Sequence, residues 1–279
     1  MTSARSGLER LSATFARARE AGRGALIPYL CAGDPDVRTS AALLRVCAEH
    51  GADVIELGIP YGDPLADGPT VAAAAQRALD AGMTVDGTLA LARESADAGG
   101  PPILLFTYYN PVLQYGLERF AEGLLEAGAV GAIVPDVPIE EMDELRAAFA
   151  PRGLALPLLI APSTPPARAL ALAEASDGFV YVVSRLGVTG ARREPDFGWI
   201  EARVAALRAH VDRPVAIGFG IATGAHVRRA VELADAAIVG SALIDAYAGT
   251  TGTEAADRAG AFLAELDAAR RPAVKGTPA

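Results

Sequence analysis

Eight short, continuously apolar runs punctuate this chain, and most are followed by a longer segment with helical spacing. The runs fall at 25–30, 53–57, 103–108, 131–134, 156–160, 179–183, 215–218 and 236–239. Continuous rather than alternating apolarity marks parallel strands covered on both faces. Between them, 40–50, 117–127, 139–150, 201–210 and 225–234 gather apolar residues on one helical face, with Gly or Pro as punctuation. Strand–helix alternation with short connections implies right-handed βαβ units. Eight units in 279 residues fit a (β/α)8 TIM barrel, which takes about 250 residues. The expected fold is therefore α/β: a single-domain barrel over 1–279, with a core at about 8–268 and a short C-terminal tail at 269–279. Leu8, Leu11 and Phe15 add an amphipathic helix before the first strand, placed to cap the barrel bottom. An open, doubly wound sheet is the alternative. It normally shows a Gly-rich fingerprint after strand one, whereas this turn reads Cys31-Ala-Gly-Asp-Pro35.

In a barrel, function sits at the C-terminal strand ends and the loops beyond them. Strand two carries Glu56 inside the run Val-Ile-Glu-Leu. Burial there would raise its pKa and let it both donate and accept a proton. Pairing with an Arg from a neighbouring strand is the structural alternative. The long loop 58–69 holds Asp63 and Asp67 among Gly and Pro. Those are ordinary turn residues, but long loops at this end of a barrel are often active-site loops. Strands seven and eight end in Gly218-Phe-Gly-Ile221 and Val239-Gly-Ser-Ala242. These glycines serve either tight turns or the approach of backbone amides to an anion. Ser241 opens a short helical turn whose N-terminus suits phosphate. The stretch 184–197, polar and Gly-flanked, suits a lid.

Composition removes several classes of function. The net charge of −9 disfavours a general DNA or membrane-surface binder. Lys275 is the sole lysine and lies near the C-terminal end, which excludes a buried Schiff base. His50, His210 and His226 lack metal-ligand spacing, and no carboxylate cluster replaces them. Cys31 and Cys47 form no C-x-x-C pair and fit a reducing compartment. No secretory h-region or membrane-length apolar run is visible, so a cytoplasmic location is expected.

Seven ordered motifs carry a resemblance. The run 56–69, from Glu56 through Asp67, is the most specific. Pro28-Tyr29 with Gly33-Asp34-Pro35, Tyr108-Tyr-Asn110-Pro111, Pro135-Asp136-Val-Pro138, 181–190, Gly218-Phe-Gly-Ile221 and Gly240-Ser241 complete the set. Over about 8–268 the chain resembles the tryptophan synthase alpha subunit family. The resemblance implies retro-aldol cleavage of indole-3-glycerol phosphate to indole and glyceraldehyde 3-phosphate. It implies Glu56 as catalytic acid/base, Asp67 as the carboxylate on the indole N–H, and Tyr181 beside the reacting region. Tyr29, Phe106 and Tyr108 would surround the indole, and Thr189 would close toward Asp67. Gly190, Gly220, Gly240 and Ser241 would hold the phosphate. Asp63, Asn110 and Asp136 would face a beta subunit carrying pyridoxal phosphate, with no cofactor or metal in this chain. Leu186, Gly62, Phe179 and Cys31 depart from the family's usual residues, the first two in the lid and partner-signalling loops.

The chemistry is feasible with these residues. Protonating the ring carbon that bears the side chain makes an indolenine, so the substrate supplies its own electron sink. The rivals are a stand-alone lyase without a beta partner, a phosphosugar isomerase using Cys31 as base, and a non-catalytic activating subunit.

Overall fold

The structure is a computed structural model that describes residues 6–184 and 195–270. Eight parallel strands form its centre: β1 (Ala25–Cys31), β2 (Ile55–Gly58), β3 (Ile103–Phe106), β4 (Gly131–Ile133), β5 (Leu158–Ile160), β6 (Val180–Val183), β7 (Val215–Gly218) and β8 (Ala236–Val239). They neighbour one another in the order β4-β3-β2-β1-β8-β7-β6-β5. A parallel bridge from Gly131 to Ala155 joins the two ends. At this seam the Ala132 N–H donates to the Ala155 carbonyl at 3.0 Å, and the Ala155 N–H to the Val130 carbonyl at 2.8 Å. A Cβ on Gly131 would stand 2.0 Å from the Ala155 oxygen, so a side chain there would force the seam apart. The sheet is thus a barrel and not an open, doubly wound sheet.

The helices follow as α1 (Gly7–Glu20), α2 (Val37–Glu49), α3 (Pro69–Asp80), α4 (Val85–Asp97), α5 (Tyr109–Tyr115), α6 (Leu117–Glu126), α7 (Asp143–Phe149), α8 (Pro166–Ala175), α9 (Phe197–Arg208), α10 (Gly224–Leu233), α11 (Ser241–Tyr247) and α12 (Gly252–Ala269). Local chemistry sets several of their starts. Ser6 and Glu9 form a reciprocal capping box on α1, and Asp36, Thr84 and Thr223 accept from the third residue of α2, α4 and α10.

Strand residues alternate between two cores. Ala25 and Ile27 of β1, Leu104, Phe179, Ala216 and Ala236 fill the barrel interior, where Leu11 and Phe15 of α1 plug the bottom. The Phe15 and Phe179 rings lie 5.7 Å apart. Leu26, Leu30, Leu57 and Leu105 point outward beneath the helices. Both faces of each strand are covered, which is why the runs read as continuously apolar.

Differences from the sequence reading are mainly in helices. The segment 139–150 splits into a 3-10 turn at Ile139–Glu141 followed by α7. Helix α9 begins at Phe197 because Asp196 caps it. Helices α4, α5, α8 and α12 had no expectation. Ala-rich α8 buries only Ala169 and Ala173, so its periodicity is faint. Helix α12 runs to Ala269, and Arg270 behind it is 5% exposed, packed into the barrel bottom at the start of the expected tail. There Asp53 accepts both arms of Arg23 at 2.7 and 2.8 Å, and Arg270 joins it. Among the described residues no helix is long and apolar enough to cross a membrane.

Candidate active site

Glu56 stands in register with Tyr29 on one side and Leu104 on the other. Its position on β2 turns it inward, where it is 1% exposed. No Arg reaches it among the described residues, and its Oε1 has no hydrogen-bond partner there. The ion-pair alternative therefore does not describe Glu56. Burial pushes its pKa up to about 8, because an unpaired carboxylate in an apolar surround disfavours charge.

The space in front of Glu56 is lined by Tyr29, Asp67, Val71, Phe106, Tyr181, Phe219, Gly220, Ile238, Gly240 and Ser241, and holds about 440 Å³. Two aromatic pairs frame it. Tyr29 meets Phe106 edge-on with centroids 5.9 Å apart, and Tyr181 meets Phe219 at 5.8 Å. Each tyrosine leans over a glycine of the next strand. A Cβ on Gly58 would come within 2.2 Å of the Tyr29 hydroxyl, and one on Gly218 within 2.4 Å of the Tyr181 hydroxyl.

Asp67 reaches the pocket from the loop between β2 and α3. Burial raises its pKa to about 6, opposed by a hydrogen bond from Tyr108. The Tyr108 hydroxyl also accepts from the Ala66 N–H at 3.0 Å. Tyr108 thus braces the Asp67 loop from behind rather than lining the pocket wall. Burial thus raises both carboxylates, Glu56 further than Asp67.

Gly220, Gly240 and Ser241 line the same pocket, with Gly240 beside the Tyr29 ring. Gly220 has φ 94° and Phe219 has φ 65°, a left-handed conformation found at no other non-glycine among the described residues. The Ser184 hydroxyl donates to the Phe219 carbonyl, and the Ser184 N–H to the Gly218 carbonyl at 2.9 Å. Ser241 opens α11 directly after Gly240. Phe219 escaped the sequence reading; its signal was only its place between two glycines at a strand end.

Of the expected site residues, Glu56, Asp67, Tyr181, Tyr29, Phe106, Gly220, Gly240 and Ser241 share this pocket. Thr189 and Gly190, like Leu186, lie outside the described residues. Asp63 and Asp136 lie on the loops after β2 and β4, and Asn110 lies in the first turn of α5. Asp63 is exposed. Asn110 donates to the Tyr61 hydroxyl at 3.1 Å. Asp136 accepts from the Tyr109 N–H at 3.0 and 3.1 Å. Leu65 and Leu113, 73% and 46% exposed, leave apolar surface in the loop after β2 and on the helix after β3. Among the described residues no cluster of His, Cys, Asp and Glu could hold a metal ion. Cys31 is buried, and burial pushes its thiol far above its ordinary range, the opposite of a poised base.

A parallel barrel whose mouth gathers Glu56, Asp67 and a ring of aromatic side chains around one pocket has the architecture of a TIM-barrel enzyme. Comparison with known proteins narrows that class to one family. The family model described as tryptophan synthase alpha chain matches residues 15–270. A tryptophan synthase alpha chain from Synechocystis sp. is 47% identical over 93% of this chain and 98% of its own. One from Arabidopsis thaliana is 45% identical over 84% and 85%. A solved Mycobacterium tuberculosis tryptophan synthase superposes with a TM-score of 0.87 at 41% identity, covering 95% of this chain and 99% of that one. The chain belongs to the tryptophan synthase alpha chain family, carbon–carbon lyases that cleave indole-3-glycerol phosphate.

Proposed function

We propose that Glu56 and Asp67 carry the retro-aldol cleavage of indole-3-glycerol phosphate in this chain. The observation that carries the assignment is the buried Glu56 carboxylate, its Oε1 without a hydrogen-bond partner among the described residues, facing a pocket that also holds Asp67. The indole lies between the Tyr29–Phe106 and Tyr181–Phe219 pairs, with its N–H toward Asp67. The phosphate meets the amides of Gly220, Gly240 and Ser241, joined by Gly190. Tyr181 stands beside the reacting region, Thr189 is assigned to substrate binding, and Tyr108 holds the Asp67 loop.

Glu56 delivers its proton to the ring carbon that bears the glycerol chain. The resulting indolenine is cationic at nitrogen, and Asp67 balances that charge. Glu56, now a carboxylate, takes the proton from the adjacent side-chain hydroxyl. The carbon–carbon bond breaks as the C=O forms, and its electron pair restores the indole. Indole and glyceraldehyde 3-phosphate leave with the proton count unchanged. Each general acid–base contribution of this kind supplies about 10²–10⁴-fold in rate.

The working assembly is a cytoplasmic heterotetramer of two alpha and two beta subunits, with pyridoxal phosphate in the beta subunit and no cofactor here. Asp63, Asn110 and Asp136 belong to the docking face. The deciding experiment is indole release from indole-3-glycerol phosphate by the purified chain, with and without a beta subunit. Stimulation by the beta subunit is expected. Fast release without stimulation would instead describe a stand-alone lyase, and no indole in either case would sink the assignment.

A further inference from the structure

Asp34 lies three residues beyond β1 and is fully buried. Its Oδ1 accepts from Arg77 Nε at 2.7 Å, and its Oδ2 from Arg77 Nη2 at 3.1 Å. The buried Tyr247 hydroxyl donates to the same Oδ2 at 2.9 Å. The two donors come from different parts of the mouth. Arg77 is on α3, which the chain enters directly from the Asp67 loop. Tyr247 ends α11, whose first residue is Ser241. A second tie joins the same helices, from the Thr70 hydroxyl to Asp245 Oδ1 at 3.1 Å. A carboxylate withdrawn from water is costly unless charged and hydrogen-bonded partners meet it. Here they meet it through a two-pronged guanidinium and a phenol, which also fix direction.

We propose that Asp34 is a positioning residue for the cleavage reaction: its carboxylate clamps α3 to α11 and so sets the Asp67 loop against the phosphate-binding end at Ser241. The clamp rests on the reading of Asp67 and Ser241 as substrate-contacting groups. One substrate must satisfy both at once, its indole at Asp67 and its phosphate at Ser241. Letting the helices slide would misplace one end whenever the other is bound. Asp34 touches neither end and works through Arg77 and Tyr247.

The test is steady-state cleavage of indole-3-glycerol phosphate by Asp34→Asn, Arg77→Met and Tyr247→Phe, with Glu56→Gln measured alongside. Asp34→Asn keeps the shape but removes the charge. Its kcat/KM is expected to fall about tenfold to a hundredfold, the scale of a sub-ångström to ångström misplacement. Each arm is expected to split the constants differently. Tyr247→Phe frees the phosphate end and raises KM with kcat near that of the parent. Arg77→Met frees the Asp67 loop and lowers kcat with KM little changed. A merely structural ion pair would lower the melting temperature and leave both constants alone. Folded Asp34→Asn with kcat and KM within about twofold of the parent overturns the clamp. If that variant does not fold, Arg77→Met and Tyr247→Phe both within the same limit overturn it. Full activity in Glu56→Gln would instead overturn the underlying site reading, so the two failures are distinguishable.

Discussion

The Tyr29 hydroxyl lies against the α-carbon of Gly58, so close that a Cβ there would meet it at 2.2 Å. Tyr29 pairs in register with Glu56, two residues before that glycine. The tyrosine therefore leans along the barrel axis into space the missing side chain leaves open, and its ring forms one wall in front of Glu56. Gly58→Ala is expected to push the Tyr29 ring into the pocket. Overpacking of this kind costs about 1–3 kcal/mol in stability, and the displaced ring should raise KM for indole-3-glycerol phosphate. Melting temperature and KM measured together check it; a normal KM would show that Tyr29 does not shape the substrate slot.

Replacing Glu56 by Gln should lower kcat by about 10²–10⁴-fold while leaving a folded barrel that still binds substrate. The pH profile gives the complementary check. Glu56 must start protonated, so kcat should fall as pH rises through about 8. Asp67 must be ionised, so activity should fall as pH drops through about 6. The expected bell peaks near neutrality, and Asp67→Asn should remove its acid limb. A profile flat from the acid to the alkaline side would contradict both assignments.

Burial of Glu56 also couples stability to pH. Its folded-state pKa of about 8 lies well above its ordinary value of 4.5. The folded chain therefore holds a proton that the unfolded chain releases. The contribution is fully present below the unfolded value and is lost as pH rises toward the folded one, at up to about 1.4 kcal/mol per pH unit for the fully buried group. Glu56→Gln carries no such proton. Its stability relative to the parent should rise between pH 5 and pH 8, checked by urea unfolding at both. Parallel stability curves would mean that Glu56 is ionised in the folded protein.

How far the sequence discloses this site follows from the physics of each residue. Glu56 was legible because a lone carboxylate inside an apolar run has to be buried. Gly220, Gly240 and Ser241 were legible because glycines at two neighbouring strand ends, before a helix start, suit an anion. Phe219 was not, since a left-handed backbone at a bulky residue leaves no periodic trace. The Asp34–Arg77–Tyr247 cluster was not either: Asp34 stood out only as part of the Gly33-Asp34-Pro35 motif, and 213 positions separate it from Tyr247. Helix α8 hid because alanines give little contrast between its faces.

Asp53 supplies the contrast to the mouth. It sits at the opposite, N-terminal end of the barrel, holding Arg23, Arg270 and the Leu26 N–H, the last at 3.0 Å. Removing one partner of a buried ion pair leaves the other charges uncompensated, at about 3–5 kcal/mol. Asp53→Ala should therefore unfold at much lower denaturant concentration. Because the bottom of a barrel serves stability, kcat and KM below the unfolding transition should match the parent. A changed KM would mean that the two ends of the barrel are coupled.

Leu113 tests the docking face without touching the pocket. It lies on α5, 46% exposed, on the same helix as Asn110. An exposed leucine on that helix is a contact a partner subunit would cover. Truncating a central interface residue typically costs more than about 1 kcal/mol of binding, and a buried, unpaired charge costs more. Leu113→Glu is therefore expected to weaken association with the beta subunit at least tenfold, since about 1.4 kcal/mol is a factor of ten. Indole release by the isolated chain should stay at the parent rate, because Leu113 lines no part of the pocket. Titration of beta subunit into a fixed amount of each variant, followed by the rise in indole release, separates the two effects. Unchanged half-saturation would move the docking face away from α5, and a fall in the unstimulated rate would show that the substitution had reached the pocket instead.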